Sequence, residues 1–207
     1  MPMAHLRLVR GNGSGFISDC VAALAEAGVE AVLSPPLPRS AQKSWLEANF
    51  ESHASLALMR RHLERVPPPG HVVVEGCTDD LAEALRIDAA AFDPFWRFDS
   101  SALDEAIAAT PRSALLVVRA ADGGLAGYAV TGIGSTLAYL QRVAVDPRFQ
   151  GGGMGRSLLR ASARWAKREG GSTIMLNTQV DNESAIRLYE SEGYDTMHEP
   201  LEVLISG

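Results

Sequence analysis

Short apolar runs rich in β-branched and aromatic residues, separated by turn residues, organise the second half of the chain. SALLVVRA (113–120), GLAGYAVTGI (124–133) and TLAYLQRVAV (136–145) predict three strands, and ADGG between the first two is a hairpin turn signal. Upstream, consecutive prolines in PPPG (67–70) break the chain, because they continue neither a helix nor a central strand. HVVVEG then reads as a short strand. In TDDLAEALRIDAAAF, Leu81, Leu85, Ile87 and Ala91 supply apolar positions behind Thr78 as N-cap. AFDPFWRFDS is an aromatic-rich connection to a short helix near 101–109. Downstream, a glycine window opens a helix that runs to about residue 168. STIMLNTQV adds a strand, NESAIRLYESEG a helix, and GYDTMHEPLEVLISG two short strands. An antiparallel meander followed by strand–helix–strand–helix predicts an α/β chain of α+β type, with a mixed twisted sheet and helices on both faces.

Residues 1–69 follow the same order: strand, glycine loop, helix, strand, helix, then an aromatic at the turn. Gly11-Asn12-Gly13 falls opposite Gly153-Met154-Gly155, and Trp45 to Phe50 falls opposite Tyr189 to Tyr194. This order predicts a degenerate half-repeat in 1–69 beside a domain over 70–207. The other reading is that any two αβ units share such an order.

Composition narrows the function classes. Of the 207 residues 46% are hydrophobic and 21% charged, which is globular composition. No run approaches the roughly 18 apolar residues of a membrane helix, and MPMAHLRLVRGNGSG lacks the apolar core of a signal peptide. Cys20 and Cys77 form no CxxC pair and no metal-ligand pattern, so buried, reduced thiols in a cytoplasmic protein without a metal site are expected. The net charge of −6 argues against a nucleic-acid partner. It hides a basic stretch, however: Arg142, Arg148, Arg156, Arg160, Arg164, Lys167 and Arg168 stand against Asp146 alone between 142 and 168. Either that is a solvated helix face, or an anion site opens the helix.

DPRFQGGGMGRSLLR (146–160) decides between phosphate-binding patterns. A P-loop fails, because Gln150 stands where its first glycine belongs and Arg156 replaces its lysine. A dinucleotide fingerprint fails as well, with Arg156 in place of its third glycine. What fits is Q-x-x-G-x-G, Gln150 to Gly155, followed by N-x-x-A-x-x-x-Y-x-x-x-G-Y with Asn182, Ala185, Tyr189, Gly193 and Tyr194. With both motifs, residues 139–194 resemble the GNAT superfamily of acetyl-CoA-dependent N-acetyltransferases. The meander extends the likeness back to about residue 71. Within these motifs the ribosomal-protein alanine N-acetyltransferases are the most similar members.

Elementary physics agrees with the resemblance. The first amides of a helix lack intrahelical partners and sit at the positive end of its dipole, and a loop without side chains lets a diphosphate reach them. Gly151, Gly152, Gly153 and Gly155 clear that space. Gln150 and Arg156 are expected to add donors, and Met154 and Leu158 turn to the core. The resemblance implies that acetyl-CoA is the donor, with its thioester carbonyl on the amides of Val143, Ala144 and Val145. It implies further that the strand at 173–179 splays away to admit the pantetheine arm, and that Tyr189 protonates the departing thiolate. Asn182 and Tyr189, seven residues apart, share a helix face. A primary amine would attack directly, and it must first lose a proton. Where the ribosomal-protein enzymes carry a glutamate base, this chain has Asn177. Asp93 and Asp99 are the carboxylates of the connection that lines the acceptor pocket in the family, with Phe92, Phe95 and Trp96. Those aromatics serve equally as a plug between helices. Expected partners are acetyl-CoA and an amine, bound by a monomer or homodimer; a weakly active acyl-CoA-binding module is the alternative.

Overall fold

The turn and breaker residues fall where elements end. In the computed structural model, which describes residues 3–11 and 13–207, the order begins β1 (Met3–His5), α1 (Ser14–Glu26), β2 (Ala31–Leu33), α2 (Arg39–Leu46), β3 (Glu51–His62), β4 (Val73–Glu75). It continues α3 (Leu81–Ala91), α4 (Ser100–Ala108), β5 (Arg112–Arg119), β6 (Leu125–Ile133), β7 (Leu137–Val145), α5 (Met154–Arg168). β8 (Thr173–Gln179), α6 (Glu183–Ser191), β9 (Asp195–Thr196) and β10 (Leu201–Ser206) complete it. Asn12 of the Gly11-Asn12-Gly13 loop lies outside the described residues. No helix among the described residues is long and apolar enough to cross a membrane.

Two units gather these elements: Met1–Met59 with Asn177–Arg187 and Thr196–Gly207, and Arg60–Leu176 with Leu188–Asp195. In the first, β1 runs parallel to β2 (Met3↔Ala31) around α1, and β10 pairs antiparallel with both β2 and β3. Its core holds Ile17, Val32, Trp45, Phe50 and Leu204, with Trp45 and Phe50 edge to face at 4.9 Å. In the second, β4, β5, β6 and β7 form an antiparallel meander, and β8 joins β7 in parallel. The sheet is mixed, as the sequence predicts. Gly123 closes the β5–β6 hairpin with φ +91°, the left-handed conformation that the ADGG signal requires.

Two local expectations change. Thr78 opens a 3-10 turn (Thr78–Asp80) and does not cap α3; the Asp80 carboxylate reaches back to accept the Cys77 amide at 3.0 Å. The thiols are free but not buried: Cys77 is exposed and Cys20 half-buried. A side chain in a capping turn or on a helix flank stays near solvent however apolar its type.

A buried ion pair between α3 and β7 pins the second unit from within. Asp88 on α3 is fully buried, and its carboxylate accepts Arg142 Nε (2.6 Å) and Nη2 (2.8 Å) from β7. The Tyr128 hydroxyl (2.6 Å) and the Phe98 amide (2.7 Å) fill its remaining positions. Burial and the Asp88 bond hold the Tyr128 phenol far above its ordinary pKa. The guanidinium lies between the rings of Phe92 (3.5 Å) and Phe98 (4.1 Å) and donates to the Trp96 carbonyl at 2.7 Å. Phe92 and Phe98 of the aromatic connection are therefore a plug, locked to β7 one residue before Val143.

A buried charge stripped of its partner is costly. Asp88→Ala should lose about 3–5 kcal/mol of stability in urea unfolding; a loss under about 1 kcal/mol would contradict the pair as described.

Candidate active site

The loop between β7 and α5 is built by backbone geometry that only glycine adopts freely. Gly151 and Gly153 have φ of +79° and +83°, and Gly153 is the N-cap of α5 with no capping side chain. A Cβ on Gly151 would meet nothing within 4 Å, so the loop surface there is bare and open. Gly155 differs, since a Cβ would make ordinary contacts with Val145 (3.6 Å) and Leu188 (3.7 Å), so alanine fits there. The first amide inside α5 to find an intrahelical acceptor is that of Ser157, on the Gly153 carbonyl at 3.1 Å. The amides of Met154, Gly155 and Arg156 therefore have no partner in their own helix, at the positive end of its dipole. This is a fitting cradle for a diphosphate: donors without acceptors, and no side chain in the way.

Asp146 fixes where the loop begins. Its carboxylate is almost fully buried and accepts the Arg148 amide (3.0 Å), Arg148 Nε (3.0 Å) and Nη2 (2.9 Å), and Arg86 Nη1 (3.1 Å). The Arg148 guanidinium is the largest cause that holds this carboxyl well below the usual range, against the opposing effect of burial.

β7 supplies a second row of donors. β8 pairs with β7 only from Leu137↔Thr173 to Tyr139↔Met175, whereas β7 continues to Val145 along β6. Successive amides of a strand point to opposite edges. Asp146 donates toward β6, to the Ala126 carbonyl at 2.9 Å. Ala144 shares that direction, so Val143 and Val145 point to the edge that β8 has left. The Val145 carbonyl, on the same edge as its amide, receives Gln150 Nε2 at 3.1 Å. Of the three expected amides, two face the gap and Ala144 faces the sheet.

The basic stretch is exposed along much of its length, yet most of its side chains are engaged by carboxylates or carbonyls. Arg156 Nε pairs with Glu192 at 2.9 Å, and Arg160 grips the same carboxylate at 2.7 and 2.8 Å. Farther along α5, Arg160, Arg164 and Lys167 donate to the carbonyls of Pro68 (3.2 Å), Val66 (3.1 Å) and Glu64 (2.6 Å). Steps of three or four helical residues advance roughly 4.5–6 Å, and two residues of proline-rich chain advance roughly 6 Å. The stripe thus staples residues 64–68 along α5, antiparallel to it.

The second motif is divided by role. Asn182 caps α6, its Oδ1 accepting the Ala185 amide at 3.2 Å, so that oxygen serves the helix end. Tyr189 is 7% exposed, and burial pushes its phenol up to about 12 against a small opposing effect of Arg142. Its ring lies 6.0 Å from that of Tyr194. Glu192, 5% exposed, collects Arg156, Arg160 and, at 3.9 Å, Arg61. Asn177 is exposed on β8. Phe95 and Trp96 form an edge-to-face pair at 4.8 Å in a 3-10 turn (Pro94–Trp96), behind the exposed Asp93. Asp99 caps α4, its Oδ1 accepting the Ala102 amide at 2.8 Å.

Four residues that support this site carried no role in the sequence reading: Asp88, Glu192, His71 and Ser157. Only Glu192 had a local signal, since it directly precedes Gly193 of the second motif. His71 donates to the Gly152 carbonyl at 2.8 Å across 81 residues of chain, which no local pattern reports.

Residues 81–194, more than half of the chain, match the acetyltransferase (GNAT) family, and the chain belongs to it. It is 30% identical over 169 residues to a mycothiol acetyltransferase of Rhodococcus erythropolis, covering 69% of this chain and 54% of that protein. It is 36% identical over 74 residues to the ribosomal-protein-alanine N-acetyltransferase of Escherichia coli, covering 36% of this chain and 50% of that one. The chain thus spans about half the length of these curated relatives. A solved tandem GNAT protein from the clavulanic acid biosynthesis pathway superposes on 97% of this chain and 71% of its own, with TM-score 0.69 and 14% identity. At that identity the likeness shows the fold.

Asp146 sets a pH dependence with a definite sign. Its folded pKa is depressed, so its contribution is fully present above the unfolded value of about 3.9 and is lost as pH falls below it. Asp146→Asn should lower the melting temperature by several degrees at pH 7, and the difference from the parent should narrow progressively as pH falls below about 4. A difference that stays constant from pH 7 to pH 3 would contradict the assignment.

Proposed function

We propose that this protein transfers an acetyl group from acetyl-CoA to a primary amine of a small molecule or of a peptide N-terminus. One observation carries the reading: unpartnered amides at the glycine-loop end of α5 adjoin the edge of β7 beyond its pairing with β8. Membership of the family supports the acetyl donor. The two free thiols fit a reducing, cytoplasmic setting.

Acetyl-CoA supplies a thioester whose carbonyl accepts an amine and whose sulfur leaves as a thiolate. The chain's own residues then have separable tasks. The amides from Gly151 to Arg156 hold the diphosphate, and those of Val143 and Val145 orient the acyl end. Arg156 is kept at the loop by Glu192, ready to exchange part of that pairing for a phosphate oxygen. Tyr189, with a pKa pushed up to about 12, stays a neutral phenol throughout the working pH range. Full proton transfer to a thiolate of pKa about 8.5 is then uphill by roughly 3–4 units. Tyr189 therefore acts by donating a hydrogen bond to charge that develops on sulfur, with the proton following as the bond breaks. Asp93, Phe95, Trp96 and Asn177 are the acceptor-side residues of this reading.

The second reading, an acyl-CoA-binding module of little activity, is favoured by one observation: exposed Asn177 stands where the ribosomal-protein enzymes carry a glutamate base. Asn177 cannot act as a base, and one oxygen of Asp99 is engaged as a cap. In the first reading the ammonium proton leaves through water.

We propose further that residues 1–69 are a decayed copy of the C-terminal half, beside the acetyltransferase domain over 70–207. β1 and β2 run parallel around α1 as β7 and β8 do around α5, and the tandem relative supports the reading. In the copy, a Cβ on Gly11 would sit 2.9 Å from the Phe16 ring, whereas one on Gly13 or Gly15 would meet nothing within 4 Å.

At a concentration about 100-fold above Kd, acetyl-CoA should raise the melting temperature by roughly 5–10 °C, and Gly153→Glu should abolish the rise. No rise in the parent would sink both donor readings. In a thiol-release assay over a broad amine and peptide panel, Tyr189→Phe should slow turnover by about 100-fold. Acetyl-CoA binding with no turnover of any acceptor would select the binding module.

A further inference from the structure

The glycine loop presents a problem that glycines alone do not solve. Gly152 and Gly153 lack side chains, so the peptide between them rotates with little steric resistance. In a trans peptide the C=O and N–H point in opposite directions. One flip would exchange the Gly153 amide for the Gly152 carbonyl at the loop surface, replacing a donor to the diphosphate with a repelling oxygen.

The structure holds that peptide from behind. His71 Nε2 lies 2.8 Å from the Gly152 carbonyl oxygen. A carbonyl only accepts, so Nε2 carries the proton and the imidazole is the donor. His71 is itself anchored: its backbone amide donates to Ser157 Oγ at 3.1 Å. The Ser157 hydroxyl in turn donates to the Gly153 carbonyl at 3.1 Å, and Ser157 is 1% exposed. Two consecutive carbonyls, those of Gly152 and Gly153, are thus tied to one small assembly. Their peptide partners, the amides of Gly153 and Met154, are directed the other way. The PPPG break delivers His71 to this point, and Arg160 holds the prolines against α5 through the Pro68 carbonyl.

We propose that His71, supported by Ser157, is a positioning residue for the diphosphate of the acyl-CoA donor. It keeps the Gly152–Gly153 peptide in the orientation that offers amides to the ligand. This rests on the donor reading given above. His71 touches neither the thioester nor the acceptor; it acts through the loop. Without it, binding must also select one peptide orientation from two, and one hydrogen bond that preorganises the loop is lost.

The test is isothermal titration of the full chain with acetyl-CoA, for the parent, His71→Ala and His71→Gln, with melting curves for all three. Gln places an N–H donor four bonds from Cα, as histidine does at Nε2, whereas Ala places none. His71→Ala should weaken acetyl-CoA binding about three- to tenfold, the range of one net hydrogen bond. His71→Gln should restore affinity to within about twofold of the parent. Equal affinity in parent and His71→Ala would overturn the proposal, and so would weakened binding that His71→Gln fails to restore. Should His71→Ala prove unfolded, a folded His71→Gln with affinity well below the parent would overturn it alone. A parent that binds no acetyl-CoA would instead remove the donor reading beneath it.

Discussion

Helix α5 begins with amides that have no acceptor in their own helix, and much of the second unit serves to present them. A helix end left bare is a cost that proteins ordinarily remove with a capping side chain. Here the N-cap is Gly153, left-handed and without a side chain to offer. The donors are kept open, and their neighbours are held still. Asp146 fixes the turn before the loop, His71 and Ser157 hold its carbonyls, and Glu192 holds Arg156 beside it.

Charge in this region is used for construction more than for attraction. Seven basic residues between 142 and 168 suggest an electropositive groove, yet most of them meet a carboxylate or a carbonyl. Arg142 serves Asp88, Arg148 serves Asp146, and the α5 stripe binds Glu192 and the strap at 64–68. A diphosphate would therefore be held chiefly by backbone dipoles. That is consistent with glycine at 151, 152, 153 and 155.

The loop was legible in the sequence because its requirements are local. A strand, a run of glycines and a helix with one apolar face are all visible within 30 residues, and the family motifs add order and spacing. The meander and its hairpin were legible for the same reason. What sequence reading missed depends on partners far apart in the chain. Asp88 meets Arg142 across 54 residues, Lys167 meets the Glu64 carbonyl across 103, and His71 meets Gly152 across 81. Composition also misled where a residue type has two uses. Asp99, read as an available carboxylate, also caps a helix, and the basic stripe, read as a solvated face or an anion site, also staples residues 64–68.

The central claim is that the amino end of α5 and the free edge of β7 together receive the donor. Amide chemical shifts of the nitrogen-15-labelled full chain, titrated with acetyl-CoA, test it directly. The account requires the largest shifts at Gly151 to Arg156, Val143 and Val145, with little change around Gly11 to Gly15. Largest shifts at the start of α1, or none at the glycine loop, would contradict it.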